Sequence, residues 1–362
     1  MKNIVATGSL LLALTLTAAA EAMHFTPGRL AVLRAGDGIF DLNLRQSPVF
    51  VDELNPGTPG GVPTLTVAIP TNGPDSFFFN GHAATEGLLS RSADKHQLVF
   101  AGYGGVDLLA QSGTAARLDI RHGLATVDLT GQVHSYLYKS PAPNFKVNAR
   151  GAATDGTNHF WGCGNTYGTF FYSTNLPEPA CFDNLPNSRA MKIIGGTLYA
   201  SINTADGFSN DQSPGIYDFL PDALPRNTNA NPVLVVAAAA EYKKVAGFDL
   251  SPDGNTAYMA DIKAGVQKYV KAAGAWKFAY NLAIPQNIPA AQNTATGCFG
   301  LTVDFAQTPA VIYATTTEGY GGSVNSNRVV RISDTGANAT VVTLIQATST
   351  NIAYRGVDLS PE

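Results

Sequence analysis

The chain has 362 residues, of which 14% are charged, and its 23 Lys and Arg against 27 Asp and Glu give a formal net charge of −4 at pH 7. With no basic run anywhere, this balance argues against a nucleic-acid or anionic-membrane partner, because either needs a basic face. Abundant Gly (36) and Pro (21) beside few charges suit a sheet protein with short loops.

Residues 1–22 read as a signal peptide. Lys2 gives the positive start, Leu10 to Leu16 supply most of an apolar run, and Ala20-Glu21-Ala22 places small residues at the cleavage-determining positions. The run is too short to span a bilayer, and no later stretch is long enough. The expectation is therefore a secreted, extracellular protein with no membrane span, its single domain covering 23–362.

The mature chain opens on strand-like segments at Arg29–Arg34, Val49–Leu54 and Thr64–Ile69. A recurring signal then begins: a short apolar segment that starts at a small residue and leads into further β-rich segments. Glu86-Gly87-Leu88-Leu89 precedes strands at Gln97–Tyr103, Leu124–Leu129 and Val133–Tyr138. Arg150-Gly151-Ala152-Ala153 precedes His159–Gly162 and Thr169–Tyr172. Arg189-Ala190-Met191-Lys192 precedes Thr197–Ile202, Ile216–Phe219 and Val233–Val236.

The next unit is the clearest. Gly247–Leu250 is an apolar strand ending in the turn Ser251-Pro252-Asp253-Gly254, where Pro presets φ and Gly accepts a positive φ. Strands at Thr256–Ala260, Gly265–Val270 and Trp276–Leu282 follow. Phe299-Gly300-Leu301-Thr302 leads to Val311–Thr315, Arg328–Ile332 and Thr340–Ile345. The last start, Arg355-Gly356-Val357-Asp358, has only a strand and its turn, Leu359-Ser360-Pro361-Glu362.

Four strands and a return to a common axis make one blade of a β-propeller. The expected fold class is thus all-β, a six-bladed propeller closed by a composite blade from the N- and C-terminal segments, which removes the open sheet edge. Seven blades is the alternative, if the segment between Leu54 and Glu86 holds extra strands. A β-sandwich explains neither the repeat nor the truncated last unit.

Cys163 and Cys181, 18 residues apart in one repeat, form the expected disulfide of an exported chain, leaving Cys298 as a buried, inert thiol. No Cys-x-x-Cys or His-x-x-x-His spacing supports a zinc site. Asn338-Ala339-Thr340 is a glycosylation sequon, meaningful in a eukaryotic source.

In a propeller, the residues that precede the small ones ring the axis. They are Glu86, Arg150, Arg189, Ala246, Phe299 and Arg355. Three arginines and one carboxylate suit the capture of a carboxylate or phosphate. Two readings stand side by side: an anion site built from Glu86, Arg150, Arg189 and Arg355, or a structural network in which each guanidinium only stiffens the channel. The partner of the first reading is an anionic small molecule or an acidic polysaccharide. His82, on the approach to Glu86, and Tyr354, beside Arg355, are the candidate proton carriers of a uronate lyase. His159 and Trp161 lie on a second strand, while Gly102-Tyr103-Gly104-Gly105 and Gly319-Tyr320-Gly321-Gly322 read as loop turns. No Gly-x-Ser-x-Gly elbow occurs, which excludes an α/β-hydrolase site.

Gly247–Asp261, GFDLSPDGNTAYMAD, resembles the repeat of six-bladed calcium-dependent lactonases and senescence-marker-type propellers, and that of NHL-repeat propellers. The resemblance implies a divalent ion on the axis, held by Glu at one inner-strand start and by Asn or Asp at others. Only Glu86 matches. Arg150, Arg189, Ala246, Phe299 and Arg355 stand where oxygen ligands are needed, and hard cations take six or more oxygens. The resemblance supports the fold and counts against the metal, so no metal or cofactor is expected. A non-catalytic extracellular or cell-wall module and a lactonase-like hydrolase remain the alternatives to the lyase.

Overall fold

The computed structural model describes residues 24–42, 46–81, 83–104, 121–138, 149–165, 168–176, 179–181, 185–203, 212–219, 221–227, 230–286, 297–318, 327–349 and 351–362. Every regular element among them is a β-strand. No described helix is long and apolar enough to cross a membrane.

The first eight strands are β1 (Leu30–Ala35), β2 (Gln46–Leu54), β3 (Leu65–Ala68), β4 (Phe77–Asn80), β5 (Leu89–Arg91), β6 (Gln97–Gly104), β7 (Arg121–Asp128) and β8 (Val133–Tyr138). The next eight form two separate antiparallel sheets. One holds β9 (Ala149–Thr154), β10 (His159–Gly164), β11 (Thr169–Ser173) and β12 (Ala180–Cys181); the other holds β13 (Ser188–Ile194), β14 (Thr197–Ile202), β15 (Gly215–Asp218) and β16 (Val233–Ala237). Two more sheets follow: β17 (Val245–Leu250), β18 (Thr256–Asp261), β19 (Gly265–Ala272) and β20 (Ala275–Leu282), then β21 (Cys298–Asp304), β22 (Val311–Thr316), β23 (Arg328–Ser333) and β24 (Val341–Gln346). The last strand, β25 (Ala353–Leu359), pairs antiparallel with β1, so the first and last strands share a sheet.

That shared sheet has nine strands in the order β25-β1-β2-β4-β6-β7-β8, with β3 beside β2 and β5 beside β6. It contains two four-strand runs, β25-β1-β2-β3 and β5-β6-β7-β8, stitched together by β4. The sequence hides β4 in the segment between Leu54 and Glu86. This strand seeds no new sheet. Phe77, Phe78 and Phe79 are all buried, because β4 bridges β2 and β6 and has packing partners on both faces.

The sheets are arranged like a propeller. Their inner strands pack in a closed circuit: β5 on β9, β9 on β13, β13 on β17, β17 on β21, β21 on β25, and β25 on β5. The recurring small residue has a direct physical cause here. A Cβ added at Gly151 would sit 2.5 Å from Arg189 O, at Gly247 2.7 Å from Phe299 O, and at Gly300 2.5 Å from Arg355 O. At these three crossings one inner strand passes so close to the next that only hydrogen fits, which is one of the uses of glycine.

Hydroxyls tie the same seam. Ser201 Oγ accepts from Ala190 N at 3.0 Å and donates to Ala246 O at 2.6 Å. Thr315 Oγ1 accepts from Gly300 N at 2.8 Å and donates to Arg355 O at 2.5 Å. Cys163 does the same with sulfur, accepting from Gly151 N and donating to Arg189 O at 3.3 Å. Cys163 is therefore a free, buried thiol, and the expected Cys163–Cys181 disulfide does not form. Strand β11 lies between β10 and β12, which separates their backbones by about 9–10 Å, beyond the roughly 7 Å that a disulfide can span. Cys298 is also free and buried.

The opposite end of the sheets carries tight turns. Ser251 Oγ accepts from Asn255 N and Thr256 N and donates to Asp253, while Gly254 takes φ +68°. Ser92 and Asp94 build a matching turn. Both aspartates serve as turn caps, as their positions predict.

Candidate functional site

At the end of the axis where the inner strands begin, the structure brings Glu86, Arg150, Arg189 and Arg355 together from four sheet segments. All are buried, at 1%, 5%, 7% and 3% exposure. Around the circuit they form one polar arc, and Ala246 and Phe299 form the apolar remainder. Glu86 is firmly held: Tyr103 Oη donates to Oε1 at 2.5 Å and Asn80 N donates to Oε2 at 3.0 Å. Tyr103 Oη in turn accepts from Ala149 N at 3.1 Å.

Burial pushes the Glu86 carboxyl up from 4.5 to about 8, against the pull of the bonds from Tyr103 and Asn80 and the charges of Arg355 and Arg150. Near neutral pH this carboxyl is largely protonated, so it offsets little of the arginine charge. Arg150 Nη1 donates to Asn187 Oδ1 at 2.6 Å and to Ser188 O at 3.2 Å. Arg355 Nη2 donates to Gly81 O at 3.2 Å. These acceptors are neutral and orient the guanidinium groups.

Tyr103 is the partner that sequence reasoning missed. Gly102, Tyr103 and Gly104 lie within β6 and are not a loop turn. A Cβ at Gly102 would meet the Phe77 ring at 2.5 Å, so this glycine admits the bridging strand. The second motif of that kind, at 319–322, lies outside the described residues, as does His82.

Tyr354 neighbours Arg355 along β25, and successive strand residues face opposite ways. Its ring packs in a buried cluster with Leu30, Val32, Tyr313, Val329 and Leu344. Burial and the nearby Asp52 charge hold its hydroxyl well above the usual phenol range. His159 sits at the tight-turn end, its Nδ1 2.7 Å from Asp155 Oδ2. Trp161 is a core residue whose Nε1 donates to Pro225 O at 2.6 Å.

A second charged layer crosses the axis deeper in. Lys192 Nζ lies 3.2 Å from both Asp249 Oδ2 and Asp358 Oδ2 and donates to Thr302 Oγ1 at 3.3 Å. Backbone N–H groups complete the carboxylates: Val303 N and Leu250 N donate to Asp249, and Arg91 N and Leu359 N donate to Asp358. Burial works against the Lys192 charge, but Asp249 and Asp358 outweigh it and raise the ammonium above its ordinary range. Between the layers, Leu88 joins a buried cluster with Ala190, Ala246 and Phe299, which belong to strands other than its neighbours β9 and β25. The axis is plugged there by apolar side chains.

Neither layer suits a hard divalent ion. The outer one offers guanidinium groups where the lactonase pattern needs oxygens, and the inner one already holds an ammonium between its carboxylates. Among the described residues, no group of three or more His, Cys, Asp or Glu could hold a metal ion.

A cavity of about 20 Å³ lies at the outer layer, lined by Arg355, Phe299, Glu318, Asn327, Thr317 and Ala353 among others. Glu318 Oε1 accepts from Arg328 Nε at 3.0 Å and from Arg328 Nη2.

No protein-family model matches the chain, and no curated protein sequence does. Solved structures share its architecture. The chain is similar to one in the structure of a nidogen/laminin complex, with a TM-score of 0.52 at 11% identity over 91% of this chain and 97% of that one. It is similar to a protein of unknown function from Bacteroides caccae, with a TM-score of 0.50 at 10% identity over 92% and 98% of the two chains. A 6-phosphogluconolactonase-like protein from Bacteroides fragilis gives 0.47 at 12% identity over 86% and 80%. At these identities the likeness is one of fold: an all-β chain in a propeller-like arrangement.

Proposed function

We propose that the chain is an exported, six-bladed β-propeller that binds a small carboxylate-bearing molecule, such as an acidic sugar, at the arginine end of its axis and does not transform it. The blade count takes the two four-strand runs of the nine-stranded sheet as blades, beside the four separate sheets, and the closed circuit of inner strands supports it. The observation that carries the binding reading is the convergence of Arg150, Arg189 and Arg355 on one buried layer whose ring carboxyl, Glu86, is largely neutral near pH 7, while the nearby Glu318 carboxylate is paired with Arg328. A preorganised guanidinium cluster in a low-dielectric site favours an anion, and arginine matches a carboxylate with paired donors. Binding without turnover fits the position of Tyr354, whose ring packs among apolar side chains.

Calorimetric titration of residues 23–362 with galacturonate, glucuronate and acetate, against neutral sugars, tests the reading. Binding is expected for the acids alone, and Arg150→Lys or Arg355→Lys weakens it by about tenfold or more while the circular dichroism is unchanged. Acid affinity that survives both changes, or no acid binding at all, overturns the proposal.

A further inference from the structure

We infer that the ligand also carries a primary ammonium group, received by Glu318, so that the site takes an amino acid or another small zwitterion in preference to a plain carboxylate. This rests on the anion-binding reading above and adds a second contact to it. Glu318 is 2% exposed and lines the same cavity as Arg355. Its Oε1 is engaged by Arg328, but its Oε2 is buried with no hydrogen-bond donor in reach. Arg328 is committed elsewhere as well, since Nη2 donates to Pro285 O at 2.6 Å and Nη1 to Thr343 Oγ1 at 3.2 Å. A buried carboxylate oxygen without a donor is costly, and native proteins seldom leave one without a use.

The neighbouring polar groups are spoken for. Asn327 Nδ2 donates to Thr316 O and Tyr354 O, its Oδ1 accepts from Tyr354 N, and Thr317 Oγ1 donates to Ile262 O. What the cavity offers a guest is a cation at Arg355, an acceptor at Glu318, and apolar walls at Phe299 and Ala353. A volume of about 20 Å³ exceeds the roughly 10–15 Å³ that one water needs, so the cavity takes the ammonium group alone and the rest of the ligand lies outside it. A primary ammonium is of water size and has only donors to give, so it matches Oε2.

The test compares glycine, alanine, acetate and methylammonium by calorimetric titration on the wild-type chain and on Glu318→Gln. Glycine is expected to bind the wild type about tenfold or more tightly than acetate, as a charge-assisted hydrogen bond predicts. In Glu318→Gln the two acids converge, with acetate binding as well as before or better. Equal binding of glycine and acetate to the wild type overturns the inference and leaves the carboxylate reading standing, with a water at Oε2. Failure of every probe to bind removes both.

Discussion

The two charged layers on the axis are built on opposite logic. In the inner one, Lys192, Asp249, Asp358 and Thr302 satisfy each other, and backbone N–H groups take up the remaining carboxylate positions. Nothing is left over for a guest. In the outer one, the anchors of Arg150 and Arg355 include uncharged oxygens, Glu86 is largely protonated, and Glu318 keeps a buried oxygen without a donor. A saturated network is a staple between strands; the outer layer is where we place the proposed ligand. The Leu88 plug keeps the two apart, so each can be altered separately.

Removing the centre of the staple is the harshest way to break the comparison. Lys192→Met leaves two carboxylates buried without their cation, and losing one partner of a buried pair costs about 3–5 kcal/mol. Urea unfolding followed by tryptophan fluorescence reads the loss. Adding Asp249→Asn and Asp358→Asn to the same chain should recover most of it, because the charges then vanish together. A cost under about 1 kcal/mol for Lys192→Met would show that the layer is not a staple.

The outer layer should be cheaper to damage. Arg150→Leu strands Asn187 Oδ1 and Ser188 O, a penalty of about 1–3 kcal/mol, while abolishing acid binding. If it destabilises as much as Lys192→Met, the outer ring is a staple too and the contrast collapses.

The uneven legibility of these layers in the sequence has a mechanical cause. The outer ring could be read because the residue after each member is small, and at Gly151, Gly247 and Gly300 the next strand's carbonyl passes where a Cβ would stand. The inner layer lies three residues further on, at Lys192, Asp249, Thr302 and Asp358. Strict alternation puts residues three apart on opposite faces. The register shifts between Ser188 and Met191, Val245 and Phe248, and Cys298 and Leu301 each insert the extra residue that turns them back to the axis. Such bulges leave no mark in a repeat of small residues. Tyr103 was hidden for a similar reason: its flanking glycines resemble a turn, but Gly102 is small to admit Phe77. The β4 bridge and the Glu318 cavity belong to no repeat, so no periodicity exposes them.

Acidity sharpens the contrast more gently. Glu86 is raised from 4.5 to about 8, so the folded state holds its proton more tightly than the unfolded chain does. The stability this adds is complete below about 4.5 and is lost as pH rises through about 8, with a slope of up to about 1.4 kcal/mol per unit. Glu86→Gln should flatten that fall in a series of urea midpoints. Tyr103, held far above its ordinary range by burial and Glu86, keeps its proton throughout. Asp249 is also raised by burial, so a residual slope of the same sign persists in the variant. A profile indistinguishable from wild type would mean that Glu86 is ionised across the range.

The smallest effect belongs to the seam between sheets, and it tests why Cys163 is a cysteine in a place where no disulfide forms. Cys163, Ser201 and Thr315 do one job in three sheets: each accepts an N–H from its own inner strand and donates to a carbonyl of the next. The chain repeats the arrangement visibly, since each stands two residues after a ring at Trp161, Tyr199 or Tyr313. If the role is that of a hydrogen-bonded bracket, Cys163→Ser should change stability by less than about 1 kcal/mol, whereas Cys163→Ala forfeits both bonds and should cost more. Burial pushes the Cys163 thiol up to about 12, so iodoacetamide at pH 8 should label it only as fast as the protein unfolds. Rapid labelling of the native chain, or a serine variant worse than the alanine one, would show that sulfur at this seam does something a hydroxyl cannot.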